Sequence, residues 1–333
     1  MGGKVNENDY LFLTARVRAL ERTLLTRERM ERMLEAPSAE EAARVLTECG
    51  YPELNPLTPA ALDSALRAQR ARLFDDLSAG VPDPALIDVF RLRYDYHNVK
   101  VLLKAEATGA DGTRLLADTG RVPAKVLAEA VRAGDLRALP GALRAAAEQA
   151  REVLGSTGDP QQADFVLDRA WYAELTELAR EVGSEFLTRY VETCIDAANL
   201  RTAVRTRRMG RGAEFLQGVL LPGGSVDARQ ILSAVTAGRP LADCFAASPL
   251  REAALAGGEA ASGGRLTRFE KLCDDAVTAC LREAALIPFG EAPVVAYLAA
   301  RESEATAVRI ILGGRLAGLP TETIRERLRE SYV

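Results

Sequence analysis

One short pattern recurs three times along the chain and constrains its fold more than any other feature. It reads Asp95-Tyr-His-Asn98-Val-Lys100, then Asp196-Ala-Ala-Asn199-Leu-Arg201, then a decayed copy, Glu304-Ala-Thr-Ala307-Val-Arg309. The copies stand about a hundred residues apart, well beyond the period of roughly 20–50 residues that marks a solenoid of small units. In a chain of 333 residues that spacing predicts three homologous modules, each the size of a small domain.

A second repeat supports the first. Val122-Pro-Ala-Lys-Val-Leu127 lies on Val226-Asp-Ala-Arg-Gln-Ile231 at a constant offset that also superposes Gly120 on Gly224 and Gly134 on Gly238. The same helix start returns at Leu25-Thr-Arg-Glu28 and at Leu319-Pro-Thr-Glu322, and the first three starts lie at similar distances from the acidic position that follows each. Modules are therefore expected at residues 1–121, 122–225 and 226–333. A half-copy of the signature helix in Thr14–Leu20 precedes the first start, and a lone start helix follows the last signature, so the two ends are expected to meet and close a ring.

The modules read as helical. Leu92, Tyr96, Val99 and Leu103 follow the spacing of one helix face. Ser38-Ala-Glu-Glu41 and Asp227-Ala-Arg-Gln230 have the form of capping boxes, and Thr58-Pro59 sets a cap before a first-turn proline. Ala, Leu, Arg and Glu dominate, aromatics are 5%, and runs of β-branched residues at period two are nearly absent. An all-α fold follows. The stretch from Gly257 to Gly264 is expected to be a flexible surface loop.

Composition excludes several functions. A net charge of −4 speaks against a nucleic-acid binder relying on bulk positive charge. No apolar run reaches the ~18 to 20 residues that span a bilayer, and the N-terminus has no signal-peptide core. The five cysteines lack zinc spacing, and His97 is the single histidine, so neither a metal nor another cofactor is expected and the thiols read as reduced, in a cytoplasmic protein. No phosphate loop, Gly-x-Ser-x-Gly elbow or His-Glu-x-x-His motif occurs. A catalytic role has little support.

On a helix Asp95 and Asn98 share a face, as do Asp196 and Asn199, while Lys100 and Arg201 point roughly the other way. Asn is a poor helix-interior residue, which implies that its amide is engaged. Bonding to the backbone or loop ends of a neighbouring helix is favoured over direct partner binding, and Ala307 suggests that the third copy has repacked. After Arg201 come Arg205, Arg207, Arg208 and Arg211, with no acidic residue before Glu214. A solvated face is slightly favoured for this segment, with contact to acidic protein surface or phospholipid headgroups as the alternative; it and the Gly257–Gly264 stretch are the candidate contact surfaces.

The segment Phe90-Arg-Leu-Arg-Tyr-Asp95-Tyr-His-Asn98-Val-Lys100-Val-Leu-Leu-Lys-Ala105 resembles the hallmark helix of the C subunit of the V/A-type ATPases (ATP synthases), the homologue of the d subunit in the eukaryotic V-ATPase. The later Asp196–Arg201 signature, Ala307-Val-Arg-Ile-Ile-Leu312-Gly-Gly-Arg and Gly-Leu-Pro320 match that family in order and position, and the resemblance covers essentially the whole chain. It implies a funnel of three pseudo-threefold modules in the central stalk, with the central shaft on its open side and the membrane proteolipid ring on the other. Such a protein would be peripheral to the membrane, transmit torque and leave ATP chemistry to other chains. The competing classes are a helical adaptor outside any rotary motor and a helical enzyme with an unrecognised site.

Overall fold

The computed structural model describes residues 6–333, and the regular elements among them are all helices. In order these are α1 (Leu11–Glu21), α2 (Arg27–Glu35), α3 (Ala39–Arg44), α4 (Pro59–Ser78), α5 (Ala85–Thr108), α6 (Ala124–Ala133), α7 (Gly141–Thr157) and α8 (Pro160–Val182). There follow α9 (Glu185–Arg208), α10 (Ala213–Val219), α11 (Ala228–Thr236), α12 (Leu241–Cys244), α13 (Arg251–Ala261), α14 (Leu266–Arg282), α15 (Ala292–Leu316) and α16 (Thr321–Arg325). No helix among the described residues is long and apolar enough to cross a membrane.

Local chemistry sets where the helices begin. The hydroxyls of Thr26, Ser38, Thr58 and Ser184 accept the amides of Arg29, Glu41, Ala61 and Leu187, each satisfying a donor that the first turn leaves unpaired. Asp227 departs from the expected box: its carboxylate takes the Arg229 amide at 2.8 Å, two residues on, and Gln230 does not close the reciprocal bond. Pro59 and Pro160 sit in first turns, where no intrahelical amide is needed.

The three signature patterns lie on α5, α9 and α15, which are 24, 24 and 25 residues long. Each of these helices packs against three that follow it in a fixed order. Helix α5 lies on α6, α7 and α8; α9 lies on α11, α13 and α14; α15 lies on α2, α3 and α4. The last group comes from the other end of the chain, so the three arrangements succeed one another cyclically.

The apolar clusters follow this packing. One joins the second half of α15 (Ala305, Val308, Ile311, Leu312) to Met33, Leu34, Leu46 and Leu66. A second joins Leu200, Ala203 and Val204 of α9 to Ile231, Phe245, Leu250 and Phe269. The third and largest joins α5 to α6, α7 and α8, and also takes in Leu13 and Val17 of α1 with Val294, Val295 and Leu298 from the first half of α15. Helix α15 thus serves two cores, and its residues 292–300 are buried without interruption. At about 1.5–3 kcal/mol for each large side chain removed from water, these shared clusters are what hold helices distant in sequence together.

The Gly257–Gly264 stretch is not the loop expected of it. Helix α13 runs through it to Ala261, and Gly257 is buried where a Cβ would stand 2.8 Å from Val204 and 3.1 Å from Phe269. This glycine serves close approach of α13 to α9 and α14, and the chain turns only at Ser262–Gly264.

Candidate functional site: three joints and the cavities beside them

The signature residues meet backbone, and they do so in the same register. Asn98 donates its amide N–H to Ala117 O and accepts from Ala117 N, both at 2.8 Å. Asn199 does the same with Leu221, again with both bonds at 2.8 Å. An amide side chain is the one neutral group that matches a peptide unit donor for acceptor and acceptor for donor. Ala117 and Leu221 each lie five residues before a helix-start residue, Val122 or Val226.

Those starts are held by the acidic residues. Asp95 Oδ1 accepts the Val122 amide at 3.0 Å, and Asp196 Oδ1 accepts the Val226 amide at 3.1 Å. The third acid reaches across the molecule: Glu304 Oε2 accepts the Leu25 amide at 2.7 Å, while Oε1 takes the Tyr51 hydroxyl at 2.8 Å. Each signature helix therefore clasps the start of the next group of helices, and the third clasp joins segments 279 residues apart.

The second oxygen of each carboxylate is satisfied differently. Arg121 Nε stands 3.0 Å from Asp95, Ser225 donates its hydroxyl to Asp196, and Arg301 lies 2.7 Å from Glu304. Burial pushes the Asp95 and Asp196 carboxyls above the ordinary range, against the pull of these donors. The Arg301–Glu304 pair is almost wholly enclosed, with side chains 5% and 3% exposed.

Two residues before each start the backbone passes over the acid. At Gly120 and Gly224 a Cβ would stand 2.3 and 2.1 Å from the aspartate oxygens, closer than any side chain is tolerated. The corresponding residue in the third joint is Thr23. Glu304 has one methylene more, so the same clasp is made from farther out and Thr23 fits, with its hydroxyl bonded to Arg301.

The basic members face the other way, onto the long helix of the next group. Lys100 pairs with Asp168 of α8, Arg201 with Glu270 and Asp274 of α14, and Arg309 with Asp63 of α4. The arginines after Arg201 are engaged as well, Arg205, Arg207 and Arg208 by groups that are remote in sequence and Arg211 by a ring four residues on. Arg205 bonds Glu270 at 2.8 Å; Arg207 caps the end of α11 through Ala234 O and Arg239 O; Arg208 caps α13 through Ala260 O and Gly264 O; Arg211 lies over the Phe215 ring at 5.4 Å. His97 is exposed, with Nε2 3.0 Å from Leu115 O.

Two cavities lie beside the joints. One of about 260 Å³ opens between α9, α14 and α15, with Cys194, Arg201, Asp274 and Glu304 in its wall and residues 329–333 along its edge. The other, of about 540 Å³, opens between α4, α5, α8 and α15 and carries Arg67, Arg93, Arg114 and Trp171. Sequence reasoning missed Arg67, Arg93, Arg114 and Trp171, because they come together only when α4, α5 and α8 pack. Nothing in the described residues groups three or more His, Cys, Asp or Glu side chains as a metal site would.

Comparison with known proteins follows the whole chain. The family model described as ATP synthase (C/AC39) subunit matches residues 13–327. The C subunit of the V-type sodium ATPase of Enterococcus hirae is 26% identical over 325 residues, covering 97% of this chain and 99% of its own. The C subunit of the V-type ATP synthase of Thermus thermophilus is 27% identical over 333 residues, covering 96% and 98%. The C subunit of the A-type ATP synthase of Methanocaldococcus jannaschii is 24% identical over 342 residues, covering 96% and 86%.

Proposed function

Since the chain belongs to the ATP synthase (C/AC39) subunit family, we propose that it is a non-catalytic rotor subunit of a V/A-type rotary ATPase, seated between the central shaft and the proteolipid ring. Its modules are arranged as a funnel of pseudo-threefold symmetry that receives the shaft end and turns with the ring on the cytoplasmic face of the membrane. The observation that carries this reading is the cyclic set of joints: each signature helix holds the next group of helices by the same backbone bonds, and the last holds the first. A body closed in that way resists twisting, because torque applied at one group passes to the others through buried hydrogen bonds and close-packed cores. The cavities flanking the joints supply concave surface, with charged side chains in its wall, for the shaft end.

The test is assembly. Tagged protein should draw the shaft subunits and the proteolipid out of detergent-solubilised membranes, and its deletion should leave the soluble ATPase head separable from the membrane part. Recovery of an intact, coupled rotary complex from cells lacking this chain rules the proposal out.

A further inference from the structure

The three joints are alike in geometry but not in charge. Between α5 and α8, Lys100 and Lys104 are matched by Asp168 and Asp164. Between α9 and α14, Arg201 and Arg205 share Glu270 and Asp274, with Arg329 also on Asp274. Between α15 and α4 three cations again share two carboxylates, and two further arginines, Arg67 and Arg114, stand beside them. Asp63 is taken by Arg309, and Glu302 alone serves Arg70 at 2.8 Å and Arg93 at 3.5 Å.

That leaves a surplus of donors in the larger cavity. Arg67 and Arg114 have no carboxylate within 4 Å among the described residues, yet Arg67 Nη1 lies 3.3 Å from Arg114 O, which holds the two cations on one wall. Arg93 keeps about half its side chain exposed. The indole N–H of Trp171, which also lines the cavity, is buried without an acceptor. Asp63 and Asp168, the carboxylates of this wall, are each paired to a cation within the protein, and Arg67 and Arg114 are the cations left without one.

We infer that this wall, formed by Arg67, Arg93 and Arg114 beside Trp171, binds acidic side chains at the end of the shaft and so fixes the angle at which the shaft sits. The inference rests on the socket reading above. A threefold socket by itself offers an asymmetric shaft three equivalent seats. The joint with two uncommitted arginines makes a single seat favourable, since a carboxylate there gains guanidinium partners that the other two joints have already spent internally.

The experiment measures binding of the purified shaft subunits to this protein by calorimetry across a range of NaCl concentrations. Three variants are compared with wild type: R67E/R93E/R114E, its neutral counterpart R67Q/R93Q/R114Q, and a control, K125E/R137E/R180E, which makes the same charge change at exposed sites away from the cavity. The reversed variant should bind about 10- to 100-fold more weakly with a flatter salt dependence, the neutral one should fall between, and the control should match wild type. A photo-crosslinker placed at Leu115 on the cavity rim should label one face of the shaft in wild type and several faces in the neutral variant. Matching circular dichroism and melting establish that the variants fold; the neutral set carries the test if the reversed set does not.

Wild-type affinity and salt dependence in both cavity variants overturn the inference and leave the socket standing. Loss of ATP or phosphate binding in those variants with shaft binding intact overturns it in favour of a small-anion site. Failure of the wild-type protein to bind the shaft at all overturns the socket reading itself.

Discussion

Asn199 and Ala307 occupy the same position in two copies of one helix, and what lies opposite each explains the difference. Asn199 faces Leu221, in an open segment whose peptide N–H and C=O have no helical partners. The residue corresponding to Leu221 in the third joint is Leu20, which lies in the last turn of α1. The Leu20 carbonyl already accepts the amide and the hydroxyl of Thr23 and its N–H lies within the helix, so an amide side chain there has nothing to bond. Asn199→Ala should therefore cost about 2–4 kcal/mol, since it strands two buried polar groups, and Ala307→Asn should also destabilise, by about 1–3 kcal/mol, by burying an amide without partners. Urea denaturation checks both. Gly224→Ala should cost a similar ~1–3 kcal/mol through overpacking against Asp196.

The buried aspartates also set a pH dependence. Because burial raises the Asp196 carboxyl in the folded protein above its ordinary value of 3.8, its contribution to stability is full below that value and declines as pH climbs through the folded value. Asp196→Asn removes that slope. The difference in urea midpoint between wild type and Asp196→Asn should accordingly shift against the wild type as pH rises from 4, and a constant difference from pH 4 to 8 contradicts the raised carboxyl.

At the scale of elements, much was written locally and some was not. The shared face of Asp95 and Asn98, the caps at Thr58 and Ser184 and the helical period of α5 all follow from neighbours within a few residues. The compensation of Arg201 to Arg208 does not. Its partners Glu270 and Asp274 arrive on α14, about seventy positions later, and the carbonyls at Ala234 and Ala260 exist as acceptors only because α11 and α13 end there. Gly257 defeats a sequence reading for a related reason: a glycine that admits a neighbouring helix and one that loosens a loop are identical in sequence. Gly257→Val should drive a wedge between α13 and α9 and lower the melting temperature, whereas the same change at Gly258, where a Cβ meets nothing within 4 Å, should leave it nearly unchanged or slightly raised, since valine is a better helix former than glycine. The thiols belong to the same elements. Burial pushes Cys49 up to about 11 and Cys194 and Cys273 up to about 12, so iodoacetamide at pH 8 should modify Cys244 well before these three, as peptide mapping by mass spectrometry will show.

Across the whole molecule the three clasps are unequal in kind. Those at Val122 and Val226 join segments fewer than 31 residues apart, whereas the one at Leu25 joins the two ends of the fold. Glu304→Ala breaks that third clasp and leaves Arg301 enclosed without its counter-charge, at a cost of about 3–5 kcal/mol. Arg309→Ala, whose ion pair with Asp63 is about half exposed, should cost less than about 1 kcal/mol. Hydrogen exchange at the Leu25 amide should accelerate in the first variant and stay slow in the second. In the rotor body proposed above, these joints would make a split washer: continuous chain bridges two of them, and only folded contacts hold the third. In that proposed role the third joint is the place to slip under load, and Tyr51, Arg301 and Glu304, converging on Leu25 and Thr23, are the pin that would keep it shut.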